Sequence, residues 1–270
     1  MSTIGALVRA AHAVPGASVT VLIGAATVAR GAGPAEAALA VASTAASQLS
    51  VGWSNDFLDR EEDRAAGRTA KPLVAGEVAP GTVWAGARIA AAASIGSAAT
   101  LGIAPAGAMA VALAAAWGYN LGLKRTPLSW LPYAVAFGLA SVFVWLVADG
   151  TLPPGWVPAA TAGLGVAGHL TNVLPDLEVD RGASARGLPH LLGPIRSLVL
   201  AAALLGATLM LVLVAGARVT PAVVAVGSAA GLFIVAVVAA GLMGRPRLAF
   251  LLTIAAVAAV VATFLFSFPA

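Results

Sequence analysis

The sequence predicts an all-α, polytopic membrane protein with nine transmembrane helices. Of its 270 residues, 60% are hydrophobic and only 10% are charged, and the mean hydropathy is +0.96. A soluble protein of this size would need more polar surface than this composition provides. The apolar residues also form runs of membrane-spanning length, and the basic residues collect in the short loops between them. We expect one domain over residues 1–270.

Charge and cysteine content narrow the possible functions. The net charge is +4, but membrane topology explains basic loops between apolar runs better than nucleic-acid binding does. The chain contains no cysteine, which excludes disulfides, thiolate metal sites and cysteine nucleophiles. Arg9 and His12 are followed by an apolar run that continues as a first span. We therefore expect insertion into the membrane without cleavage of a signal peptide.

The first four spans are delimited by charge, glycine and proline. The first ends at Arg30, and the second continues directly into Asn55, where a charged loop over 60–78 follows. The uncharged stretch 89–123 is too long for a single span. Gly102-Ile-Ala-Pro105 is the natural turn within it, so two spans are predicted on either side.

The other five spans follow the same rule. Lys124-Arg125-Thr-Pro127 closes the fourth span, Asp149-Gly150 closes the fifth, and the sixth carries Asn172 at its far end. The three C-terminal spans are separated by short loops that contain arginine. The nine spans cover approximately residues 15–29, 35–55, 89–101, 106–123, 129–148, 156–172, 198–215, 221–242 and 248–268.

The basic residues predict the orientation, because positively charged loops stay on the cytoplasmic side. With nine spans, the N-terminus and the loops after the even-numbered spans share one side, and the C-terminus lies on the other. We therefore expect a multi-pass protein of the cell membrane whose N-terminus and acidic loops are cytoplasmic. Twelve of the fifteen basic residues lie on that side: Arg9, Arg60, Arg64, Arg68, Lys71, Lys124, Arg125, Arg181, Arg186, Arg196, Arg245 and Arg247.

Two acidic segments lie 117 positions apart and share one pattern. The trio Asn55, Asp59 and Asp63 is repeated by Asn172, Asp176 and Asp180, and both trios are followed by an arginine. On a helix, residues spaced i, i+4 and i+8 lie on one face. The repeat extends over 55–76 and 172–193. It predicts two pseudo-repeated halves that contribute to one site.

The residue types in these segments indicate a metal-diphosphate site. Carboxylate and amide oxygens are hard ligands that suit Mg²⁺, and cationic side chains neutralise a leaving diphosphate. The alternative is a set of solvated acids paired with arginines, but two copies of one spacing argue against it. The predicted metal ligands are Asn55, Asp56, Asp59, Asp63, Asn172, Asp176 and Asp180; Asp56 lies off the shared face and is the supporting member. The predicted diphosphate clamp is Arg64, Arg68, Lys71, Lys124, Arg125, Arg181 and Arg186.

These motifs resemble those of the UbiA superfamily of intramembrane prenyltransferases. The family pattern N-D-x-x-D-x-x-x-D is matched by residues 55–63, and its second pattern, D-x-x-x-D, by residues 176–180. The family's Tyr-x3-Leu-Lys-Arg segment resembles the stretch from Tyr119 to Arg125, whose Tyr119 and Lys124 the resemblance implies as diphosphate ligands. It also implies Asp59, Asp63, Asp176, Asp180 and Lys124 as the catalytic residues, with two Mg²⁺ ions as cofactors.

The resemblance also implies the architecture and the reaction. We expect a helical bundle around a central cavity, covered by a cytoplasmic, aspartate-rich cap and open to lipid through a lateral tunnel. The expected reaction is Mg²⁺-dependent transfer of a prenyl group from an allylic diphosphate to a hydrophobic acceptor, aromatic or quinone-precursor-like. A membrane terpene cyclase of the same fold needs no acceptor and is the alternative. A cation transporter is a more distant one, because transporters place ionisable residues near the midplane.

Several other polar residues lie at membrane depth or near the motifs, where a functional role is a hypothesis by default. His169 and Gln48 are predicted to contact the acceptor, to serve as a proton relay or to form interhelical hydrogen bonds. Asn120, beside Tyr119, is predicted to have a similar role. Arg9 and His12 are predicted either to contact the acceptor or to anchor the first span at the interface. The G-x-G-x-x-G pattern at 163–168 lies in an apolar helix without a preceding strand, so it does not indicate a dinucleotide site.

Overall fold

The computed structural model describes residues 3–177 and 187–268, and within these ranges all regular secondary structure is helical. The two ranges contain ten α-helices and two 3-10 turns, at Leu123–Arg125 and Leu174–Asp176. The α-helices are α1 (Thr3–Ala10), α2 (Ala13–Ala29), α3 (Pro34–Ala65), α4 (Pro80–Leu101), α5 (Ile103–Leu121), α6 (Leu131–Ala148), α7 (Trp156–Val173), α8 (Leu188–Ala215), α9 (Pro221–Leu242) and α10 (Pro246–Ser267).

Four helices, α6, α8, α9 and α10, are long and apolar enough to cross a membrane by length and composition alone. A fifth span results if α1 and α2, which meet at an angle of 71°, count as one bent segment. The expectation of an all-helical, polytopic membrane protein is therefore confirmed. The count of nine spans stays a prediction, because the other helices are shorter or carry more polar residues, and the structure adds α1, which the sequence did not reveal.

Two breaks in the helices occur at glycine. Gly102 separates α4 from α5 with a φ of 132°, so the predicted turn in the uncharged stretch is confirmed. Gly193 interrupts α8 with a φ of 76° and is followed by Pro194. Gly76, which the offset of 117 residues pairs with Gly193, has a φ of 72°. A shared positive φ, which glycine adopts without steric cost, is what a pseudo-repeat would produce.

Helix α3 is the element that positions the first acidic motif. Its 32 residues begin with Pro34 at the first turn and continue without a break to Ala65, well past the end of the predicted second span. The motif therefore projects as a rigid helical extension beyond the apolar part of α3. The helix packs along α4, α2 and α5.

The loop over residues 66–79 folds back over this extension. Leu73 and Val78 are buried against Ala6 and Ala10 of α1 and against Val83 of α4. Two larger apolar clusters form the interior below: one joins α7, α8, α9 and α10, and the other joins helices α2 to α7. The polar motif thus lies at one end of the bundle, beneath an ordered loop.

Candidate active site

The centre of the site is the pair formed by Asn55 and Asp59 on α3. One turn of helix separates them, and Nδ2 of Asn55 donates to Oδ2 of Asp59 at 3.0 Å. Nζ of Lys124, in the turn after α5, donates to the other oxygen of Asp59. The predicted grouping of Asn55, Asp59 and Lys124 is therefore present in the structure.

Lys71 holds the loop over residues 66–79 onto the first motif. Its Nζ lies 2.9 Å from Oδ1 of Asp56 and 2.7 Å from Oδ2 of Asp63, and both carboxylates are almost completely buried. Burial acts to lower the pKa of Lys71, but the two carboxylates outweigh it and raise this pKa above the ordinary value of 10.5. Lys71 is therefore a charged group at neutral pH, fixed beside the motif.

Arg68 connects the two acidic motifs. Its guanidinium donates to Oδ1 of Asp63 at 3.0 Å and lies 3.8 Å from Oδ1 of Asp176. Residues of α3 and of the segment after α7, more than 100 positions apart in sequence, are thereby brought to one cation. This contact is direct structural evidence that the two motifs face each other.

The second motif differs from the continuous helical face predicted for it. Helix α7 ends at Val173, and Leu174–Asp176 forms a 3-10 turn. Pro175 has no N–H to continue the helical hydrogen bonds, while the N–H of Leu174 bonds to the carbonyl oxygen of Thr171. Asn172 and Asp176 are consequently not on one regular helical face. Asp180, Arg181 and Arg186 lie outside the described residues.

Tyr119 lies between the motifs. The Asp59 and Asp176 carboxylates are both close enough to act electrostatically on its hydroxyl. Its ring packs edge-on against Tyr133, with centroids 5.2 Å apart, and Tyr133 in turn interacts with Asn172. Tyr119 therefore lies beside the acidic motifs, and its role as a diphosphate ligand stays a prediction. Tyr133 is a neighbour that no motif indicated.

Two predicted diphosphate ligands, Arg64 and Arg125, lie at the solvent-exposed rim of the site instead of beside Asn55 and Asp59. Arg64 pairs with Glu61 at 2.6 Å, and its side chain is 54% exposed. Arg125 pairs with Glu62, and its side chain is 41% exposed. Their role as diphosphate ligands stays a prediction, and in this structure each is bound to a surface glutamate.

Asp56, the supporting member of the predicted metal ligands, contacts His12 and Lys71. Its Oδ1 lies 3.2 Å from Nε2 of His12 as well as 2.9 Å from Nζ of Lys71. His12 sits at the junction of α1 and α2 with φ 51° and ψ 55°, a left-handed conformation that is uncommon outside glycine. Asp56 thus ties the N-terminal helices to α3, and its predicted metal contact remains untested.

Gly52 permits this close approach of the junction to α3. A Cβ atom at this position would lie 2.4 Å from the carbonyl oxygen of Ala11, so a larger residue would push the junction away. The sequence contained no signal for the contact between His12 and Asp56. The only local feature is a glycine one turn before the motif, and glycine is common in this chain.

Two of the buried polar residues form hydrogen bonds between elements. His169 is 1% exposed, and its Nε2 lies 3.0 Å from Oγ of Ser129, which also accepts from the N–H of Leu188 at 2.8 Å. His169 therefore connects α7 to the segments that flank α6 and α8. Asn120 is 5% exposed and bonds to α3. Both residues thus form hydrogen bonds between elements, as the interhelical alternative predicts, and contact with an acceptor stays a prediction.

Two cavities lie inside the bundle. The first, of about 110 Å³, is lined by apolar and aromatic side chains from α2, α6, α7, α8 and α10, including Trp145, Trp156 and Phe264. The second, of about 80 Å³, lies between α2, α3, α5 and α6 and includes Gln48. Val19, Ile23, Phe137 and Ala140 line both. The interior thus offers apolar space that a hydrocarbon chain can occupy.

The G-x-G-x-x-G pattern lies within α7, where one of its glycines faces the neighbouring helix. A Cβ at Gly165 would lie 2.6 Å from Cγ of Phe137 and 2.7 Å from the carbonyl oxygen of Tyr133. The glycine therefore allows α7 and α6 to pack closely beside the cavities.

The donor set fits Mg²⁺ in its chemistry. Asn55 and Asp59 offer hard oxygen atoms, and both amide hydrogens of Asn55 are engaged, by Asp59 and by Asn120, which leaves its oxygen as the ligating atom. Within the two described ranges, no three carboxylate or imidazole side chains converge closely enough to hold a metal by themselves. The fifth carboxylate of the predicted set, Asp180, is outside those ranges, and diphosphate oxygens normally complete such a shell.

Several solved structures share this fold. The apo structure of a UbiA homolog from Aeropyrum pernix K1 aligns with a TM-score of 0.75 and 24% identity, covering 92% of this chain and 96% of that one. A UbiA homolog from Archaeoglobus fulgidus bound to GPP and Mg²⁺ aligns with a TM-score of 0.68 and 20% identity over 96% and 99% of the two chains. A structure of digeranylgeranylglyceryl phosphate synthase aligns with a TM-score of 0.67 and 13% identity over 98% and 99%.

Sequence comparison supplies the family. No protein of curated function matches the chain at a significant level. The model of the UbiA prenyltransferase family, however, matches residues 17–241, which include both acidic motifs and the segment from Tyr119 to Arg125. This chain belongs to the UbiA prenyltransferase family.

Proposed function

We propose that this protein transfers a prenyl group from an allylic prenyl diphosphate to a hydrophobic acceptor, aromatic or quinone-precursor-like, and releases diphosphate in a Mg²⁺-dependent reaction. The observation that carries the proposal is the contact of Arg68 with both Asp63 and Asp176. It brings an acidic motif from each half of the chain to one site. Family membership supports the reaction class, and the Archaeoglobus homolog binds GPP or DMAPP with Mg²⁺.

The cations of the site neutralise the negative charge of the leaving diphosphate. When the allylic C–O bond breaks, the electron pair and the negative charge go to diphosphate. Lys124, Lys71 and Arg68 are held beside the motif by Asp59, Asp56 and Asp63, so their charges are in place before the reaction begins. Mg²⁺, when bound by the oxygen atoms of Asn55, Asp59, Asp176 and their neighbours, supplies further neutralisation of the diphosphate.

The apolar cavities hold the prenyl chain and exclude water from it. An allylic cation reacts with water unless water is excluded, and the larger cavity is lined almost entirely by hydrocarbon and aromatic side chains. The acceptor atom then bonds to the allylic carbon and releases a proton. Atoms and charge balance, with the prenyl group on the acceptor and diphosphate and a proton as the other products.

The test is an assay of purified protein with geranyl, farnesyl and geranylgeranyl diphosphate, with and without Mg²⁺, and with a panel of phenolic and quinone-precursor acceptors. We expect diphosphate release only with Mg²⁺ and an acceptor, and a product whose mass is that of acceptor plus prenyl group minus one hydrogen. A hydrocarbon product formed without acceptor would identify the cyclase instead. Absence of turnover with every diphosphate, together with Mg²⁺ flux into vesicles, would favour the transporter.

The proposed orientation places both motifs on the cytoplasmic side of the cell membrane and the C-terminus on the other. The absence of cysteine makes single-cysteine labelling unambiguous. Thr69 and Thr151 are both exposed, the first in the loop after α3 and the second after α6. We expect an impermeant maleimide to label Thr151→Cys in intact cells and Thr69→Cys only after permeabilisation. Labelling of Thr69→Cys in intact cells would reverse the topology.

A further inference from the structure

Asn120 forms a hydrogen-bond network beside the first motif that the proposed reaction does not use. Its side chain is 5% exposed. Its Nδ2 donates to the carbonyl oxygen of Val51 at 2.9 Å and to Oγ of Ser54 at 2.8 Å, and both partners belong to α3. Its Oδ1 accepts from Nδ2 of Asn55 at 3.3 Å.

The orientation of the Asn120 amide follows from these partners. A carbonyl oxygen can only accept a hydrogen bond, so the group that faces Val51 must be the NH2 group of Asn120. Its oxygen must then face Asn55, and only the NH2 group of Asn55 can donate to it. The hydroxyl of Ser54 donates to the carbonyl oxygen of Val51 at 3.0 Å, so its oxygen is available to accept from Asn120.

The same logic sets the Asn55 amide. Its NH2 group donates to Oδ1 of Asn120 at 3.3 Å and to Oδ2 of Asp59 at 3.0 Å. Both hydrogens are used, so Oδ1 of Asn55 is the atom left for a ligand. Mg²⁺ binds oxygen ligands and not N–H groups. If the Asn55 amide were rotated by half a turn, its NH2 group would face the metal instead of its oxygen.

From this geometry we propose that Asn120 is a positioning residue that fixes the Asn55 amide with its oxygen directed to the metal-diphosphate site. Asp59 supports the same orientation, but it also binds Lys124 and is itself a predicted metal ligand. Asn120 is a neutral, buried acceptor with no such competing task. The inference rests on the proposed function, because it requires Asn55 to act as a ligand.

The first test compares two bonds between the same helices. Asn120→Leu removes the contact with Asn55, and Trp117→Phe removes a neighbouring α5–α3 bond, from Nε1 of Trp117 to Oγ of Ser50 at 3.0 Å, without touching Asn55. The readout is the Mg²⁺ concentration that gives half-maximal binding of the unreactive analogue geranyl thiolodiphosphate to the full-length protein. Loss of a partner that orients a metal ligand costs about 10- to 100-fold in metal affinity.

We therefore expect this Mg²⁺ concentration to rise at least about tenfold in Asn120→Leu and less than about threefold in Trp117→Phe. Equal increases in the two variants would mean that Asn120 only joins the helices, and the inference would be wrong. No increase in folded Asn120→Leu would contradict it as well.

The second test repeats Asn120→Leu in an Asn55→Ala background. A residue that acts through Asn55 has no effect once Asn55 is absent, so the two changes should be strongly non-additive. Additive losses would show that Asn120 acts independently. This test also separates the two levels of inference: if Asn55→Ala alone leaves the Mg²⁺ requirement unchanged, the metal role of Asn55 fails. If Asn55→Ala raises it and Asn120→Leu does not, only the positioning role fails.

Asn120→Ala keeps the inference testable if Asn120→Leu does not fold. Alanine also removes the oxygen that accepts from Asn55, and it places no branched side chain between α3 and α5. We expect the Mg²⁺ requirement to rise at least about tenfold. An unchanged requirement in folded Asn120→Ala would overturn the proposal.

Discussion

The two acidic motifs share one spacing but not one backbone. The first continues on α3 to Ala65, whereas the second leaves α7 at Val173 and enters a 3-10 turn. At the offset of 117 residues, Leu58 of the first motif corresponds to Pro175 of the second. A single proline therefore explains why equal spacings are accompanied by different backbone structures.

The motifs also differ in exposure and in their cations. Asp56 and Asp63 are 2% and 1% exposed and are held by Lys71, whereas the side chain of Asp176 is 54% exposed and lies 3.8 Å from Arg68. The position that corresponds to Lys71 in the second half is Leu188. The first motif is thus the more buried part of the site, and the second is the more accessible part. The loop that follows the first motif supplies Arg68, which contacts an aspartate of each motif.

The largest expected effect is loss of turnover when any of the four motif aspartates is removed. Asp59→Ala, Asp63→Ala, Asp176→Ala and Asp180→Ala should each lower kcat at least about 100-fold, since each removes charge that holds the metal-diphosphate unit. The comparison predicts a difference in stability: Asp63→Ala should also lower the melting temperature in detergent, because Lys71 loses a buried partner, and Asp176→Ala should not. Exposed Glu61→Gln is the control. Full activity in any aspartate variant would remove that residue from the site.

The next largest effect is expected at Leu58 and Pro175, the corresponding positions at which the backbones of the two motifs differ. Leu58→Pro introduces proline inside α3 and should cost about 3 kcal/mol in unfolding free energy, with loss of activity. Pro175→Leu should leave stability nearly unchanged but lower kcat about tenfold or more, because continuation of α7 would redirect Asp176. Thermal unfolding in detergent and steady-state kinetics measure the two effects. Equal melting temperatures for both variants would mean that proline does not cause the difference.

Removing the cation shared by the motifs should have a moderate effect. Arg68→Gln deletes the charge between Asp63 and Asp176, and hydrogen bonds to charged groups contribute about 1.5–3 kcal/mol. We expect kcat/KM for the prenyl diphosphate to fall at least about tenfold, with most of the activity returning in Arg68→Lys. An unaltered kcat/KM in Arg68→Gln would show that the contact is not used in the reaction.

The smallest effect is expected at the rim. Arg64→Gln and Arg125→Gln break exposed ion pairs with Glu61 and Glu62, which typically contribute less than about 1 kcal/mol. We expect each to change kcat/KM less than about threefold. A larger loss would place that arginine on the diphosphate, as the sequence predicted, and would mean that it leaves its glutamate when substrate binds.

Several features could be predicted because they depend on local composition and spacing. Apolar runs predicted the helices, and glycine followed by proline predicted the turn at Gly102 between α4 and α5. The spacing of Asn55, Asp59 and Asp63 predicted one face of a helix, and the segment from Tyr119 to Arg125 indicated Tyr119 and Lys124. The helix end at Val173 was overlooked although Pro175 was a readable signal, because the matching spacing of the second trio suggested a matching backbone.

By itself, then, the sequence determined the fold class, the family and the residue types at the site. The tertiary structure alone decided which polar side chains contact each other. These pairs are Asp56 with His12, Asp59 with Lys124 and Asn55 with Asn120, separated by 44, 65 and 65 positions. Such contacts depend on how helices pack, and they leave no periodic pattern in the chain. Burial then fixes the partners, because a polar group removed from water must bond to whatever the neighbouring helix presents.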